Sequence, residues 1–193
     1  MHRTQEHRRP VRNMIDQRLA QLAEATERAI ALLRPGQQTE ALGQTTLKRL
    51  ANAARCEWAA YWTLEPLSQR LQVATRWDSL GAKGERFAQD TRVRTLAPNA
   101  GNAGHVWRTR KPIWTTNLVL DMCLPRSLDA SDAGLRGGVW FAVKTDTTLY
   151  GIIELLARVF PSKNADALTA IERIGLRLGR ALEDLRREPS RLH

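Results

Sequence analysis

WAAYWTLEPLSQRLQVATRW, residues 58–77, is the stretch on which the fold turns. Before it, apolar residues recur every three to four positions, as on a helix face; inside it they recur every second position. Two runs rich in aromatic and β-branched residues flank Pro66-Leu67-Ser68-Gln69 and read as a β-hairpin. Side chains alternate across a strand. Trp58, Ala60, Trp62 and Leu64 are therefore expected on one face of the first strand, and Leu71, Val73, Thr75 and Trp77 on one face of the second.

Towards the N-terminus, Ile15, Leu19, Leu22, Thr26, Ala29 and Leu33 follow one another in steps of four and three. This is the seam of a helix packed lengthwise on another helix. Asn13 is the expected cap, Asp16 falls in the first turn, and Arg34-Pro35-Gly36 ends the element, which predicts a helix over 13–34 behind a basic tail over 1–12. A second helix is predicted from about Thr39 to Arg55, with Leu42, Leu47 and Leu50 apolar.

Towards the C-terminus, a loop containing Gly81 and Gly84 and a short strand over Arg92–Leu96 are predicted. Asn102 then caps a short helix through about Arg110, Lys111-Pro112 leads into the strand IWTTNL, and a helix spans Leu124–Ala133. GGVWFAVKT, a turn around Asp146, and LYGIIELLARV form a second long hairpin. Asn164 caps a final helix with Asp166 in its first turn; Leu168, Ile171, Ile174, Leu178, Ala181, Leu182 and Leu185 are its apolar stripe. Gly175 and Gly179 each cost about 1 kcal/mol relative to alanine inside a helix. Their spacing of four implies another backbone close by, read as that of a second helix. Helices segregated from an antiparallel sheet define an α+β fold.

Bulk properties narrow the function. The chain has 193 residues, enough for one domain. Its longest apolar run, Leu149–Ala157, contains Glu154 and is far short of the ~20 residues that cross a bilayer. The basic start MHRTQEHRRP has no apolar segment behind it and so is not a secretory signal. Cys56 and Cys123 lie far apart without CxxC spacing, which implies two free thiols in a reducing, cytoplasmic compartment. The net charge of +10 raises the alternative of an arginine-rich nucleic-acid-associated protein. Against it, most arginines outside the basic tail are scattered beside acids, as in ERAI and LEDLRRE.

Three stretches, AGHVWRTRKPIWTTNL, CLPRSLDASDAGLRGGVWFAVKT and LYGIIELLARV, resemble in order and spacing the GAF domains, small-molecule-binding regulatory modules of sensor kinases, cyclic-nucleotide enzymes and transcription activators. The resemblance covers roughly residues 37–185. It implies an antiparallel sheet with the first and last helices on one face. A ligand pocket lies on the other, roofed by the helix at 102–110 and the segment 119–135. The domain would then span 37–188, with a C-terminal helix over 164–188. The terminal helices would form a bundle between two protomers, signalling to an output domain or partner protein.

Little in the sequence suggests catalysis. His105 is the one histidine outside the tails, and no Walker loop, HExxH or G-x-S-x-G occurs. Cys123 lies where light-sensing relatives attach a bilin, but MCLPRSL departs from their following histidine and tyrosine context. The cyclic-GMP signature of other relatives is absent, and no cofactor is named by the sequence. Arg126 and Asp129 in RSLD fit the arginine-x-x-aspartate pattern that grips cyclic di-GMP, or form an ion pair on a helix surface. The six tryptophans either line an aromatic pocket or pack the core. The ligand-binding candidates are His105, Trp107, Trp114, Cys123, Arg126, Asp129 and Trp140. A GAF domain that only dimerises, without a ligand, is the remaining alternative.

Overall fold

Both predicted hairpins form, and they meet in one sheet. In the computed structural model, which describes residues 8–34, 42–120, 126–163 and 165–187, β1 (Trp58–Glu65) pairs antiparallel with β2 (Arg70–Asp78), and β4 (Gly137–Lys144) with β5 (Leu149–Ala157). β1 also pairs antiparallel with β5, and the short β3 (Ile113–Thr115) closes the far edge on β4. The order is β2-β1-β5-β4-β3. β5 is therefore central and covered on both faces, which is why its sequence is almost uniformly apolar rather than alternating.

The face prediction holds for β1 and fails half-way along β2. Tyr61 pairs with Thr75 but Trp62 pairs with Val73, so Ala74 is an extra residue. Such a bulge reverses the parity of the strand beyond it. Leu71 and Val73 consequently share the face of Trp58 and Trp62, whereas Trp77 packs on the opposite side.

One face carries α1 (Arg8–Ile30), α2 (Gln44–Ala54) and α6 (Ala165–Arg187). Leu47 and Leu50 of α2, and Ile171, Ile174 and Leu178 of α6, cover Tyr61, Phe141, Ile153 and Leu155. The seam of α1 faces inward as well: Ile15, Leu22, Thr26, Ala29 and Leu33 are buried within this chain. The stripe expected to meet a second protomer is thus used against α2 and α6. Helical geometry already holds at Arg8, which corrects the tail predicted through residue 12 and makes Asn13 an interior residue rather than a cap. The predicted helix start at Thr39 and the cap Asn164 lie outside the described residues.

The glycines of α6 do approach another backbone, but it belongs to the sheet. A Cβ on Gly175 would collide with the carbonyl oxygen of Ala142, and one on Gly179 with that of Lys144. They let α6 sit directly on β4.

The other face carries a lid of short helices: α3 (Glu85–Val93), α4 (Gly101–Thr109) and α5 (Ser127–Asp132). The loop and strand predicted around residues 81–96 are instead a 3₁₀ turn, Gly81–Gly84, running into α3. Phe87, Ala88 and Thr91 bury one face of α3, and only a single bridge between Leu71 and Leu96 remains of the strand. α4 begins after Ala100, and Asn102 is buried in its first turn instead of capping it. Among the described residues no helix is long and apolar enough to cross a membrane.

Candidate functional site

The lid-side core is built around a charge. Ile152, Glu154 and Leu156 of β5 point to the lid, while Ile153, Leu155 and Ala157 point to the terminal helices. Glu154 is wholly buried at the centre of the sheet. Across β5 it faces Ala60 on β1 and Trp140 on β4. Trp58 and Trp62 lie two residues to either side of the small Ala60, in the same lid-side core.

Glu154 is held by three donors. Trp58 Nε1 donates to Oε1 at 2.8 Å, and Trp140 Nε1 to Oε2 at 2.7 Å. Arg126, immediately before α5, donates from Nη2 to Oε2 at 2.7 Å and is only 2% exposed. Arg126 Nη1 also bonds Thr91 Oγ1, which in turn donates to the Phe87 carbonyl at 2.7 Å. The guanidinium carbon lies 4.7 Å from the Phe87 ring centroid and 5.1 Å from that of Trp62, so two aromatic faces flank the cation. Trp58 and Phe87 meet edge to face at 4.6 Å.

Two buried donors in this cluster, Trp62 Nε1 and Arg126 Nε, have no acceptor among the described residues. Each such group costs about 1–3 kcal/mol. A buried ion pair is itself often no more stabilising than apolar side chains of the same volume. The lid face thus carries a buried charge pair that packing alone does not require; the core across the sheet is largely apolar, with Arg18 Nε and Nη1 as its own unpartnered buried donors among the described residues.

The sequence candidates scatter around this cluster. Arg126 and Trp140 are in it. Asp129 points away from Arg126 and pairs with Arg86 at 3.0 Å, so RSLD forms neither a shared grip nor an internal surface ion pair. His105 is exposed on α4, and Trp107 is half-buried at the margin of the lid-side core. Trp114 lies on the opposite face of the sheet, against Phe160 at 4.6 Å, with Nε1 donating to the Pro161 carbonyl at 2.8 Å. Cys123 lies outside the described residues. Cys56 is buried in the helix-side core, where burial and nearby Glu57 push its thiol pKa well up, against an opposing pull from Arg18; it is no ready nucleophile.

Sequence reasoning did not single out Glu154, Trp58, Trp62, Phe87 or Thr91 as site residues. The available signal was Glu154 itself: a charge inside a run apolar on both parities has to find a buried partner. Next to the cluster, an open cleft of about 450 Å³ lies between β2 and α3, lined by residues including Arg76, Asp78, Glu85, Gln89 and Arg92. Arg76 pairs with Asp78 at 2.6 Å and sits 5.8 Å from the Trp58 ring centroid.

A five-stranded antiparallel sheet with terminal helices on one side and a lid of short helices around a central site on the other is the fold of the GAF domains. Similar solved structures include the GAF domain of a phosphoenolpyruvate-protein phosphotransferase from Coxiella burnetii, with 13% identity, a TM-score of 0.67, and 89% of this chain and 96% of that one covered. A putative GAF sensor protein from Burkholderia vietnamiensis shares 14% identity at a TM-score of 0.61, over 88% of this chain and 99% of that one. The free methionine-R-sulfoxide reductase of Neisseria meningitidis, solved with its substrate, shares 12% at a TM-score of 0.61, over 93% and 92%. At such identities the likeness is one of fold. No protein-family model and no curated protein sequence matches the chain.

Proposed function

We propose that this chain is a sensory and regulatory GAF module. It binds a small molecule on the lid face and passes occupancy through its terminal helices to an output domain or partner protein. The observation that carries the reading is the Glu154–Arg126 cluster, a buried charge pair with three tryptophans and two unpartnered donors beneath a lid of short helices. A sequence that departs from consistent core packing at one place commonly does so for function. Arg126 and Trp140 remain ligand-binding candidates, joined by Glu154, Trp58 and Trp62. His105, Trp107 and Asp129 are candidates for the rim, and Cys123 and Trp114 are secondary.

Transmission follows from the packing. Trp140 and Ala142 lie on β4, and α6 rests on the Ala142 and Lys144 carbonyls without intervening side chains at Gly175 and Gly179. A ligand that shifts β4 therefore biases α6 in proportion to its differential affinity for the two arrangements. In this reading the chain is a homodimer, paired through outer faces of the terminal helices since the α1 seam is taken.

A thermal-shift screen of nucleotides, tetrapyrroles and metabolites tests the reading. A ligand at 100 times its Kd adds ~2.7 kcal/mol, which raises Tm by roughly 5–11 °C for a chain of this size. The expected hit loses its effect in Glu154→Gln. A broad panel without a hit speaks against sensing, and reduction of a free sulfoxide that disappears in Cys123→Ser speaks for an enzyme instead. Light scattering at twice 21.8 kDa is expected for the dimer.

A further inference from the structure

We propose that the Glu154 cage is a receptor for a guanidinium compound and that Arg126 is its tethered resident, displaced when a free guanidinium ligand enters. This rests on the reading of the lid face as the sensing site.

The anionic half of the cage exists without the lid. Glu154, Trp58 and Trp140 all stand on strands of one sheet, and the two indole N–H groups fix one carboxylate oxygen each. The cation comes from the lid, immediately before the six-residue α5, and α3 of the lid adds Thr91 and Phe87 around it. The cage is shaped for a planar cation. Trp62 and Phe87 flank the guanidinium at 5.1 and 4.7 Å, while Glu154 and Thr91 accept from its two terminal nitrogens. An ammonium group presents neither that fork nor that flat face.

The resident's attachment to its own chain is not recognised. Nε, the nitrogen that joins the guanidinium to the Arg126 side chain, is buried and unpartnered among the described residues. The contacts thus select the terminal end of a guanidinium and are indifferent to what carries it. Charge sets the class of the replacement. With Arg126 out, the buried Glu154 carboxylate loses its counter-ion, and a cation is the incoming group that restores the pair. The tether raises the resident's effective concentration, which weakens apparent affinity for the free ligand in the wild type.

The test uses the full chain, with ethylguanidinium as probe and propylammonium as control at equal ionic strength, read by Tm and tryptophan fluorescence. Arg126→Ala is expected to melt lower than wild type and to regain Tm saturably with ethylguanidinium but not with propylammonium. Glu154→Gln in that background abolishes the gain. Wild type is expected to saturate with the same selectivity at concentrations on the order of 10²-fold higher. Equal responses to both cations in Arg126→Ala overturn the proposal. So does a wild type that never saturates, since Arg126 is then a fixed brace. If Arg126→Ala does not fold, the wild-type titration decides by the same criterion. A ligand of another class that binds where ethylguanidinium does not overturns the guanidinium assignment and leaves the sensing reading standing; a panel with no binder of any class removes both.

Discussion

Removing Arg126 alone and removing it together with the charge on Glu154 should have very different consequences. Arg126→Met replaces a 2% exposed cation with an unbranched apolar chain and leaves the Glu154 carboxyl at zero exposure without its counter-ion, held only by the indoles of Trp58 and Trp140. Breaking one side of a buried pair costs about 3–5 kcal/mol. For a chain of this size that corresponds to a Tm lowered by roughly 6–20 °C. In Arg126→Met/Glu154→Gln the uncompensated charge is gone, and one amide oxygen still accepts an indole N–H. The other indole loses its acceptor, at about 1–3 kcal/mol. The double variant should therefore be more stable than Arg126→Met, although it carries one more substitution. Urea unfolding of the four proteins in the cycle measures the coupling, expected at about 2–3 kcal/mol within the range seen for residues in one network. Effects that add to within about 0.5 kcal/mol would show that the two groups are not energetically linked, and the account of the site would fail with them.

Three further outcomes follow from the packing. Trp62→Phe should destabilise less than Trp140→Phe by about 1.5–3 kcal/mol, because both indoles are fully buried but only Trp140 donates to the carboxylate; equal losses in chemical denaturation would contradict this. Gly179→Ala should destabilise by about 1–3 kcal/mol despite a helix-propensity gain of ~1 kcal/mol, since the new methyl meets the Lys144 carbonyl; a neutral or stabilised variant would disprove the close approach. Burial raises the folded-state pKa values of the Cys56 thiol and the Tyr61 hydroxyl. Their contribution is fully present below the unfolded values and is lost as pH rises, so stability should fall above roughly pH 8.5 for Cys56 and pH 10 for Tyr61. In a Cys123→Ser background, Cys56→Ala should remove the first part of that decline, and stability profiles that still superimpose over this range would refute the assignment.

The architecture was legible where local chemistry and tertiary need coincide. Alternation in residues 58–65 placed Trp58 and Trp62 on one face correctly, because the extra residue of the bulge lies on β2 and β1 has none. The same rule misplaced Trp77, since nothing in RLQVATRW marks Ala74 as an extra residue. The six-residue seam at 15–33 was read correctly as a packing surface and assigned to the wrong neighbour: periodicity states that a stripe must be covered and says nothing about which chain covers it. Gly175 and Gly179 announced a close backbone in the same way, and only the sheet supplied it.

The site was less legible for a related reason. Residue types and spacing determined an α+β chain with two hairpins, end helices, and a single charge in a doubly covered strand. The partners of that charge are 28 residues away at Arg126, 14 at Trp140 and 96 at Trp58. Local patterning encodes which faces are buried, because burial acts on each residue through its immediate neighbours in the element. Which buried groups meet depends on strand order, register and the path of the lid, and these are decided only when the whole chain packs.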